Sequence, residues 1–351
     1  MSEKQTLISG TYTVNTKSKG VYIFQETGNK NEKLKPQHTT AKNPSFLAIL
    51  PHKDRLYFIE EVGDEKGQIK AISFPQQSTD LAYDFAINTQ GSAPCHIAIS
   101  PQEDLLIVSN YMSGNFSCFS LNEQGNIGSL LSCYGFKGKS IHPKRQLQSH
   151  IHSAAFSKDG NKVYIQDLGA DCIYQFDTED LRTNNQKYFT FKLTPGLGPR
   201  HITISSKNRM YAVNELDGSI EVLQIDDSNM IVNSLQRTAL NTKNTVSGLD
   251  LGAHIRITRD EKYIYASNRG DRNEITVFEI DEQGYLAQKQ IVSSEGIGPR
   301  HFEFDSDESV LYVANQQSNT IQKFHRDKKT GLLNYANQEI SVPSPVFVAI
   351  I

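Results

Sequence analysis

The chain has 351 residues, which is enough for two or three average domains or for one large repeat architecture. Its 36 Lys and Arg residues nearly balance its 39 Asp and Glu residues, so the formal net charge is −3 and the basic excess that nucleic-acid and anionic-membrane binders need is missing. The 17 Phe and 15 Tyr residues are spread along the whole chain and argue against disorder.

The N-terminal segment and the cysteines indicate a cytoplasmic protein. Residues 1–10 contain no apolar stretch of signal-peptide length, and no apolar run approaches the 18 residues of a membrane-spanning helix. The four cysteines, which lie near β-patterned segments without C-x-x-C spacing, are Cys95, Cys118, Cys133 and Cys172. We therefore expect buried free thiols in a reducing cytosol rather than disulfides or a thiolate zinc site.

One pattern recurs along the chain about every 50 residues. Each copy has a small or Pro-containing lead-in, an anchor residue that is usually His, an alternating strand, a polar turn, a second apolar strand and then Asn or Asp. The copies begin at Pro44, Pro94, His150, Pro199, Gly252 and Pro299, and the anchors are Phe46, His96, His152, His201, His254 and His301.

Each copy continues with two further β-like segments. The third segment alternates apolar and polar residues, as in 116–121, 172–176, 220–225, 275–280 and 321–325, and the more variable fourth is typified by 187–193 and 287–292. Four antiparallel strands in about 50 residues is the size of one β-propeller blade. Helices should be few, and the absence of Trp excludes the propeller classes that use a Trp in each repeat.

The number of copies predicts seven blades. A seventh lead-in starts at Pro345 and stops after one strand, whereas the strand-like segments 7–14 and 20–25 have no lead-in of their own. Pairing the C-terminal strand with these segments closes the ring and leaves no exposed strand edges. We therefore predict an all-β fold in which residues 1–351 form one seven-bladed β-propeller, with blades starting near 44, 94, 150, 199, 252, 299 and 345 and the last completed by 7–25.

Propeller geometry also predicts where a site forms. The first strand of each blade lines the central channel and the second runs back beside it, so the start of one and the end of the other share a face. The hairpin of the fourth copy puts Arg200 opposite Glu215 to within one residue, and Arg269 follows the second strand of the fifth copy. These three charged side chains should converge at the channel mouth, where core packing does not dictate the residue type.

The repeat helps to separate structural from functional positions. The strand-ending Asn or Asp and the anchor His recur, which favours turn-forming hydrogen bonds for the first and a shared packing role for the second. The next residue varies from copy to copy as Glu61, Tyr111, Leu168, Glu215, Arg269 and Gln316. This freedom makes Glu215 and Arg269 functional candidates, with a structural ion pair as the alternative.

Other charged and His residues in the lead-ins are further candidates. Arg200 and Arg300 lie in near-identical lead-ins, GLGPRH and GIGPRH, and this duplication favours a structural role more strongly for Arg300. In the third copy His150 and His152 point to the same side of a strand. Because no further Asp or His follows with ligand spacing, we expect substrate contact or catalysis from at least one of them and no metal.

Taken together, these residues resemble the seven-bladed lactonase family, which comprises propeller-type 6-phosphogluconolactonases and fungal carboxy-cis,cis-muconate cyclases. The resemblance spans essentially the whole chain and is carried by SGTYT from Ser9, SHIHSAAFSKDGNKVYIQDLGAD from Ser149, GPRHITIS from Gly198, YAVNEL from Tyr211, YIYASNRG from Tyr263 and GPRHFEFD from Gly298. It implies a functional set of one His, two Arg and one Glu, which by motif are His152 (with His150 as the alternative), Arg200, Glu215 and Arg269.

The resemblance implies hydrolysis of 6-phosphogluconolactone to 6-phosphogluconate in the pentose phosphate pathway. Glu215 would act as the base, His152 would exchange a proton with the ring oxygen, and the arginines would hold an oxyanion or an anionic substituent. The expected substrate-binding residues are His150, His201, Arg300 and His301. No metal or organic cofactor is implied.

Two alternatives stay open. A muconate-type lactonising cyclase would use the same arginines for carboxylates, and a non-catalytic propeller would bind a small molecule or a protein. The expected partner is a small anionic sugar lactone, with no nucleic acid and no membrane, and the chain is expected to be a monomer or a weak homo-oligomer. Whether a structural ion occupies the channel is open at this point.

Overall fold

The computed structural model describes residues 5–25, 36–63, 67–74, 80–241 and 248–351. These residues form seven antiparallel sheets of four strands each, with the first strands of the blades around a central channel. The described residues contain one short α-helix, Thr178–Arg182, and one 3-10 turn, Pro51–Lys53. The predicted all-β, seven-bladed fold is therefore confirmed. In the described part of the chain no helix is long and apolar enough to cross a membrane.

The strands of blades 1 to 3 are β4 Leu47–Leu50, β5 Arg55–Glu60, β6 Gln68–Ser73 and β7 Phe85–Asn88; β8 Pro94–Ile99, β9 Leu105–Asn110, β10 Asn115–Leu121 and β11 Ile127–Gly135; and β12 Ile151–Phe156, β13 Lys162–Asp167, β14 Cys172–Asp177 and β15 Phe189–Lys192. Those of blades 4 and 5 are β16 Pro199–Ile204, β17 Arg209–Asn214, β18 Ser219–Ile225 and β19 Ile231–Ala239; and β20 Asp250–Ile257, β21 Tyr263–Gly270, β22 Glu274–Ile280 and β23 Leu286–Ser293. Blade 6 has β24 Pro299–Phe304, β25 Val310–Asn315, β26 Thr320–Arg326 and β27 Leu333–Ser341, and blade 7 has β28 Pro345–Ile350, β1 Thr6–Thr11, β2 Gly20–Gln25 and β3 Gln37–Thr40.

Blade 7 closes the ring with strands from both ends of the chain. β28 is its innermost strand and pairs antiparallel with β1, with Ser9 opposite Val348. Beyond the paired strands, Ile351 and Thr6 exchange two backbone hydrogen bonds of 3.0 and 2.8 Å. The predicted closure is confirmed, and the N-terminal part supplies three strands where two segments were recognised in the sequence.

Neighbouring blades are joined by apolar packing and by a repeated tyrosine. The second strands are almost completely buried, and their side chains form apolar clusters with the adjacent blade. The third residue of this strand is a fully buried Tyr in blades 1, 3, 4 and 5: Tyr57, Tyr164, Tyr211 and Tyr265. Each hydroxyl donates to a backbone carbonyl in the outer hairpin turn of the next blade, for example Tyr211 to Gly284 at 3.0 Å and Tyr164 to Asn229 at 2.7 Å.

The residues that end the second strands hold neighbouring turns. Asn110 donates from Nδ2 to the Thr89 carbonyl at 3.1 Å, and Asn315 makes the same bond to Ser294 at 2.8 Å. The carboxylate of Asp167 accepts from the backbone N–H of His150 at 2.8 Å. The predicted side chain to backbone hydrogen bonds are confirmed for these three residues and for Asn268, whereas Asn214 donates to the Ser219 hydroxyl instead.

A β-bulge at the start of the inner strand sets one residue apart in several blades. The register shifts between Pro94 and His96, between Pro199 and His201, and between Pro299 and His301, so the bulged residues are Cys95, Arg200 and Arg300. Bulges next to active sites commonly re-aim a side chain. Here they turn charged or polar side chains toward the channel mouth.

The register corrects the sequence alignment of blade 3 by one residue. In blade 4 His201 pairs with Val213, and the residue of blade 3 that pairs with the equivalent Gln166 is Ser153. Ser153 is therefore the anchor residue, and His152 is the bulged one. The alignment on His152 was wrong because blade 3 has one more residue between that His and the turn.

The cysteines differ from expectation at one position. Cys95, Cys118 and Cys172 are buried free thiols, as predicted. Cys133 lies on the outermost strand of blade 2. Buried and exposed side chains alternate around it on this strand, and Cys133 is on the exposed face. The prediction of a buried thiol was wrong for this residue.

Candidate active site

Six aromatic rings from the anchor positions fill the centre of the channel. The rings form a closed circle that we call the ring plug, and its members are Phe46, His96, His201, His254, His301 and Phe347. Blade 3 contributes no ring, because its anchor residue is Ser153. Consecutive ring centroids are 3.9–5.2 Å apart. The recurrence of the anchor His therefore has a packing cause, as the repeat suggested.

The histidines of the ring plug are neutral at pH 7. Burial lowers the pKa of His96 to about 3, with Arg200 contributing in the same direction. Burial likewise holds the pKa values of His201, His254 and His301 well below the usual range. Nδ1 of His201 lies 2.9 Å from Nδ1 of His254, which requires one ring to donate and the other to accept.

These four histidines should make the fold acid-labile. Their pKa is lower in the folded state, so the unfolded chain binds more protons below pH 6.5, and stability is lost as the pH falls from 6.5 toward 3. Four such groups correspond to about 5 kcal/mol per pH unit in the free energy of unfolding. Urea unfolding at pH 7, 6 and 5 should show stability falling with pH, and the slope should approach this value below pH 6.

His96→Phe is the matched control, because Phe occupies the same position in blades 1 and 7. This variant should fold and should take up one proton fewer on unfolding. A proton uptake equal to that of the parent chain would contradict the assignment.

A cavity of about 190 Å³ lies at the channel mouth beside the ring plug. Its lining residues come from the bulges, from the residues that follow the second strands, and from the β11–β12 loop: Glu61, Cys95, Tyr111, Arg145, His152, Glu215 and Arg300. The predicted convergence of side chains from several blades at the channel mouth is therefore observed.

Glu215 is the centre of the charged cluster in this cavity. The bulge residue Arg200 donates from Nε to Oε2 of Glu215 at 3.0 Å. Nη2 of Arg269 lies 3.0 Å from the same oxygen, and Nη2 of Arg145 donates to Oε1 at 2.6 Å. His152 lies further away, with Nε2 at 3.8 Å from Oε2. The structure thus brings Arg200, Glu215 and Arg269 together, as the blade geometry predicted.

The protonation states follow from these contacts. Burial alone would raise the pKa of the Glu215 carboxyl, but the guanidinium groups of Arg269, Arg200 and Arg145 hold it well below its usual range. Burial, with Arg200 contributing, lowers the pKa of His152 well below 6.5. Glu215 is therefore an anion and His152 a neutral imidazole at pH 7.

Arg200 and Arg269 are fixed in different ways. Arg200 is 3% exposed, and its Nη1 also donates to the Ala253 carbonyl of the next blade. Burial and the neighbouring Arg269 and Arg300 lower the pKa of Arg200 to about 9. Nε of Arg269 is buried and has no hydrogen-bond partner among the described residues.

A second cluster lies across the cavity. Arg300 donates from Nη2 to the Tyr12 hydroxyl at 2.8 Å, and this hydroxyl donates to Oε2 of Glu61 at 2.9 Å. Tyr12 and Glu61 follow the second strands of blades 7 and 1, the position that Glu215 occupies in blade 4. Neither residue was predicted as a site residue, although Glu61 was recognised at this position in the sequence and the shared position was the signal that could have found both.

Arg145 is the residue that sequence reasoning had no means to find. It lies in the loop of residues 136–150 between β11 and β12, outside the repeat, and its Nη2 also donates to the Tyr111 hydroxyl at 3.1 Å. Tyr111 stacks on His150 with ring centroids 4.3 Å apart, and Nδ1 of His150 donates to the Tyr111 carbonyl at 3.0 Å. His150 thus supports Tyr111 and does not line the cavity.

The other predicted site residues have different positions. Arg300 and His152 line the cavity, whereas Arg200 and Arg269 flank Glu215 behind its wall. His201 and His301 belong to the ring plug. The described residues contain no group of three or more His, Cys, Asp or Glu side chains arranged to hold a metal ion.

The charges of the two clusters do not cancel. Four guanidinium groups face two carboxylates, and His152 is neutral. Buried charges of one sign require a partner of the opposite sign. The arrangement is suited to a small anionic ligand, because guanidinium groups bind phosphate and carboxylate bidentately.

Known proteins resemble this chain over nearly its full length. The family model "Lactonase, 7-bladed beta-propeller" matches residues 6–350. The 6-phosphogluconolactonases of Bacillus subtilis (strain 168) and Formosa agariphila are each 32% identical to it, covering 97% and 95% of this chain and 96% of their own lengths. The structure of the Pseudomonas aeruginosa periplasmic gluconolactonase PpgL superposes with a TM-score of 0.89 at 26% identity and 99% coverage of both chains.

Proposed function

The chain belongs to the seven-bladed β-propeller lactonase family, and we propose that it hydrolyses 6-phosphogluconolactone to 6-phosphogluconate. The observation that carries this proposal is the cavity at the channel mouth, where an ionised Glu215 and a neutral His152 lie among four arginines. The similarity to two 6-phosphogluconolactonases supports the choice of substrate. The excess of positive charge supports an anionic one.

The residues have distinct roles in the proposed reaction. Water attacks the lactone carbonyl carbon, and a Glu215 oxygen accepts one of its protons as the C–O bond forms. Arg269 keeps the Glu215 carboxylate ionised and in place, and Arg300, which lines the cavity, donates to the oxyanion of the tetrahedral intermediate. The bond from the carbonyl carbon to the ring oxygen then breaks, and His152 relays the proton from Glu215 to that oxygen.

The ring plug contributes to this site by packing directly beside it. His201 contacts His152 at 5.5 Å between ring centroids, and its imidazole nitrogens lie 3.2 and 3.4 Å from Nη1 of Arg200. In the proposal His201 therefore positions His152 and Arg200, His301 supports the ring plug, and neither touches the substrate. Arg300 and Tyr12 form the opposite wall of the cavity.

The test measures lactone opening above the spontaneous background for 6-phosphogluconolactone and for unphosphorylated gluconolactone. We expect fast turnover of the first, and a loss of about 10²-fold in kcat/KM when Arg300 is replaced by Ala. A muconate should keep its diene absorbance. Turnover of the muconate instead would identify a cyclase, and turnover of none of the three compounds would leave only a binding function.

The wider setting is part of the same proposal. We place the reaction in the oxidative pentose phosphate pathway and in the cytoplasm, and the protein in solution as a monomer or a weak homo-oligomer with residues 1–351 as one domain. The full-length similarity to the two 6-phosphogluconolactonases supports the pathway. Size-exclusion chromatography with light scattering would measure the oligomeric state.

A further inference from the structure

The loop of residues 136–150 differs in charge from the rest of the chain. It contains Lys137, Lys139, Lys144 and Arg145 and no acidic residue, although the chain as a whole is slightly acidic. The blade repeat does not account for this loop, because the fully described connections from a fourth strand to the next first strand are much shorter: 41–46, 89–93, 193–198, 294–298 and 342–344. This loop therefore adds positive charge to one side of the channel mouth that the repeated blade does not provide.

The backbone of this loop is held in place by hydrogen bonds around Gln146 and His142. Gln146 is fully buried, donates from Nε2 to the Leu168 carbonyl at 2.9 Å and accepts from the His142 backbone N–H at 3.0 Å. Nδ1 of His142 in turn accepts from the backbone N–H of Arg145 at 3.1 Å. The loop thus fixes the Cα of Arg145 and leaves its side chain as the part that can rotate.

Arg145 is more accessible than the two guanidinium groups that contact Oε2 of Glu215. Its side chain is 38% exposed, whereas those of Arg200 and Arg269 are 4% and 13% exposed. Arg200 and Arg269 both contact Oε2 of Glu215, and within the described part of the chain Arg145 is the one residue whose side chain contacts Oε1. Removing this single contact would free one carboxylate oxygen and leave the other fixed.

We propose that Arg145 is a substrate-displaced latch: the phosphoryl group of the lactone draws the guanidinium away from Glu215, which binds the substrate and releases Oε1 to accept the proton of the attacking water. A phosphoryl dianion competes well with one carboxylate oxygen for an arginine, since both are bound through the same bidentate geometry. This inference rests on the proposed function. It adds a positioning and specificity role for one residue.

The latch ties catalysis to the presence of the phosphoryl group. With Arg145 on Oε1, both oxygens of Glu215 are occupied and the carboxylate is a weak base. An unphosphorylated lactone cannot displace the guanidinium, so it should be opened slowly even when it binds. Discrimination should therefore be visible in kcat as well as in KM, because the group that is released acts in the transition state.

The decisive experiment compares the parent chain with Arg145→Ala on 6-phosphogluconolactone and on gluconolactone. We expect kcat/KM for the phosphorylated lactone to fall about 100-fold, the scale of one charge-assisted pair, and that for gluconolactone to rise about 3-fold because Oε1 is free. Lys144→Ala is the matched control, since it removes an exposed cation from the same loop and should keep the parent ratio. Arg145→Lys should give an intermediate ratio.

The pH dependence provides a readout that a purely structural role would not move. Glu215 also faces Arg200, Arg269 and His152, with Arg300 and Glu61 across the cavity. These groups remain in Arg145→Ala, so the acid limb for gluconolactone should shift to higher pH without disappearing. An unchanged limb, or equal losses on both lactones, would overturn the latch.

A binding measurement separates this inference from the proposed function. Calorimetry with inorganic phosphate should show weaker binding to Arg145→Ala than to the parent chain and to Lys144→Ala, whether or not any lactone is hydrolysed. Equal affinity in all three would overturn the latch. Weaker binding in Arg145→Ala without lactone turnover would support phosphate capture by Arg145 and refute the proposed reaction.

Discussion

Replacing Glu215 with Gln is expected to lower kcat for lactone opening by about 10³-fold, within the range that a positioned general base supplies. The amide has nearly the same shape as the carboxylate but cannot accept the proton of water. The same change removes one negative charge from among Arg145, Arg200 and Arg269. Inorganic phosphate should therefore bind more tightly to the variant, and calorimetry would measure that gain beside the kinetic loss.

Glu61→Gln is the matched control for Glu215→Gln. It removes the same charge from the same cavity, but Glu61 is bound by the Tyr12 hydroxyl and not by a guanidinium. We expect a smaller loss of kcat, below about 10-fold, since only the placement of Arg300 changes. If Glu61→Gln proved the more damaging of the two, the base would have been assigned to the wrong carboxylate.

Replacing Val348 with Asp is expected to cost about 4 kcal/mol or more in the free energy of unfolding. Val348 is fully buried in β28, where it pairs with Ser9 and packs in a cluster with Leu7, Tyr22 and Ala314. A carboxylate there has no cationic partner in the cluster, and burying an unpaired charge is among the most destabilising substitutions. Because β28 closes the ring, the loss should appear in one cooperative unfolding transition, measured with urea.

Gln338→Asp is the matched control for this variant. It introduces the same carboxylate on the exposed outer strand of the preceding blade, where water solvates it. The urea midpoint of the control should stay near that of the parent chain. Similar losses in the two variants would mean that the closure strand is no more important than an outer strand.

The blade count, the closure and the meeting of three charged residues could be predicted because each depends on the repeat. Once Arg200, Glu215 and Arg269 were assigned to positions in their two blades, the propeller topology placed their side chains close together. The repeat also misled at one point. In blade 3 the letters HIHS matched the lead-in of the other blades, and only the pairing of Ser153 with Gln166 showed that His152 is the bulged residue.

That correction explains why His152 faces the cavity while the anchor histidines do not. It occupies the bulged position of Arg200 and Arg300, whose side chains also point to the mouth. Arg145 could not be predicted in this way, because a loop outside the repeat has no equivalent position in other blades. Its place depends on the buried Gln146 and on the hydrogen bonds of one loop.

The buried tyrosine of the second strand bears on how such a ring could arise. In blade 4 the strand supplies the hydroxyl donor, while the outer hairpin of the same blade supplies the carbonyl that Tyr164 of blade 3 reaches. A single blade therefore carries both the hydroxyl donor for the next blade and the carbonyl acceptor for the preceding one. A copied gene segment of this length would fit beside its parent at once, so growth by tandem duplication needs no new interface to evolve.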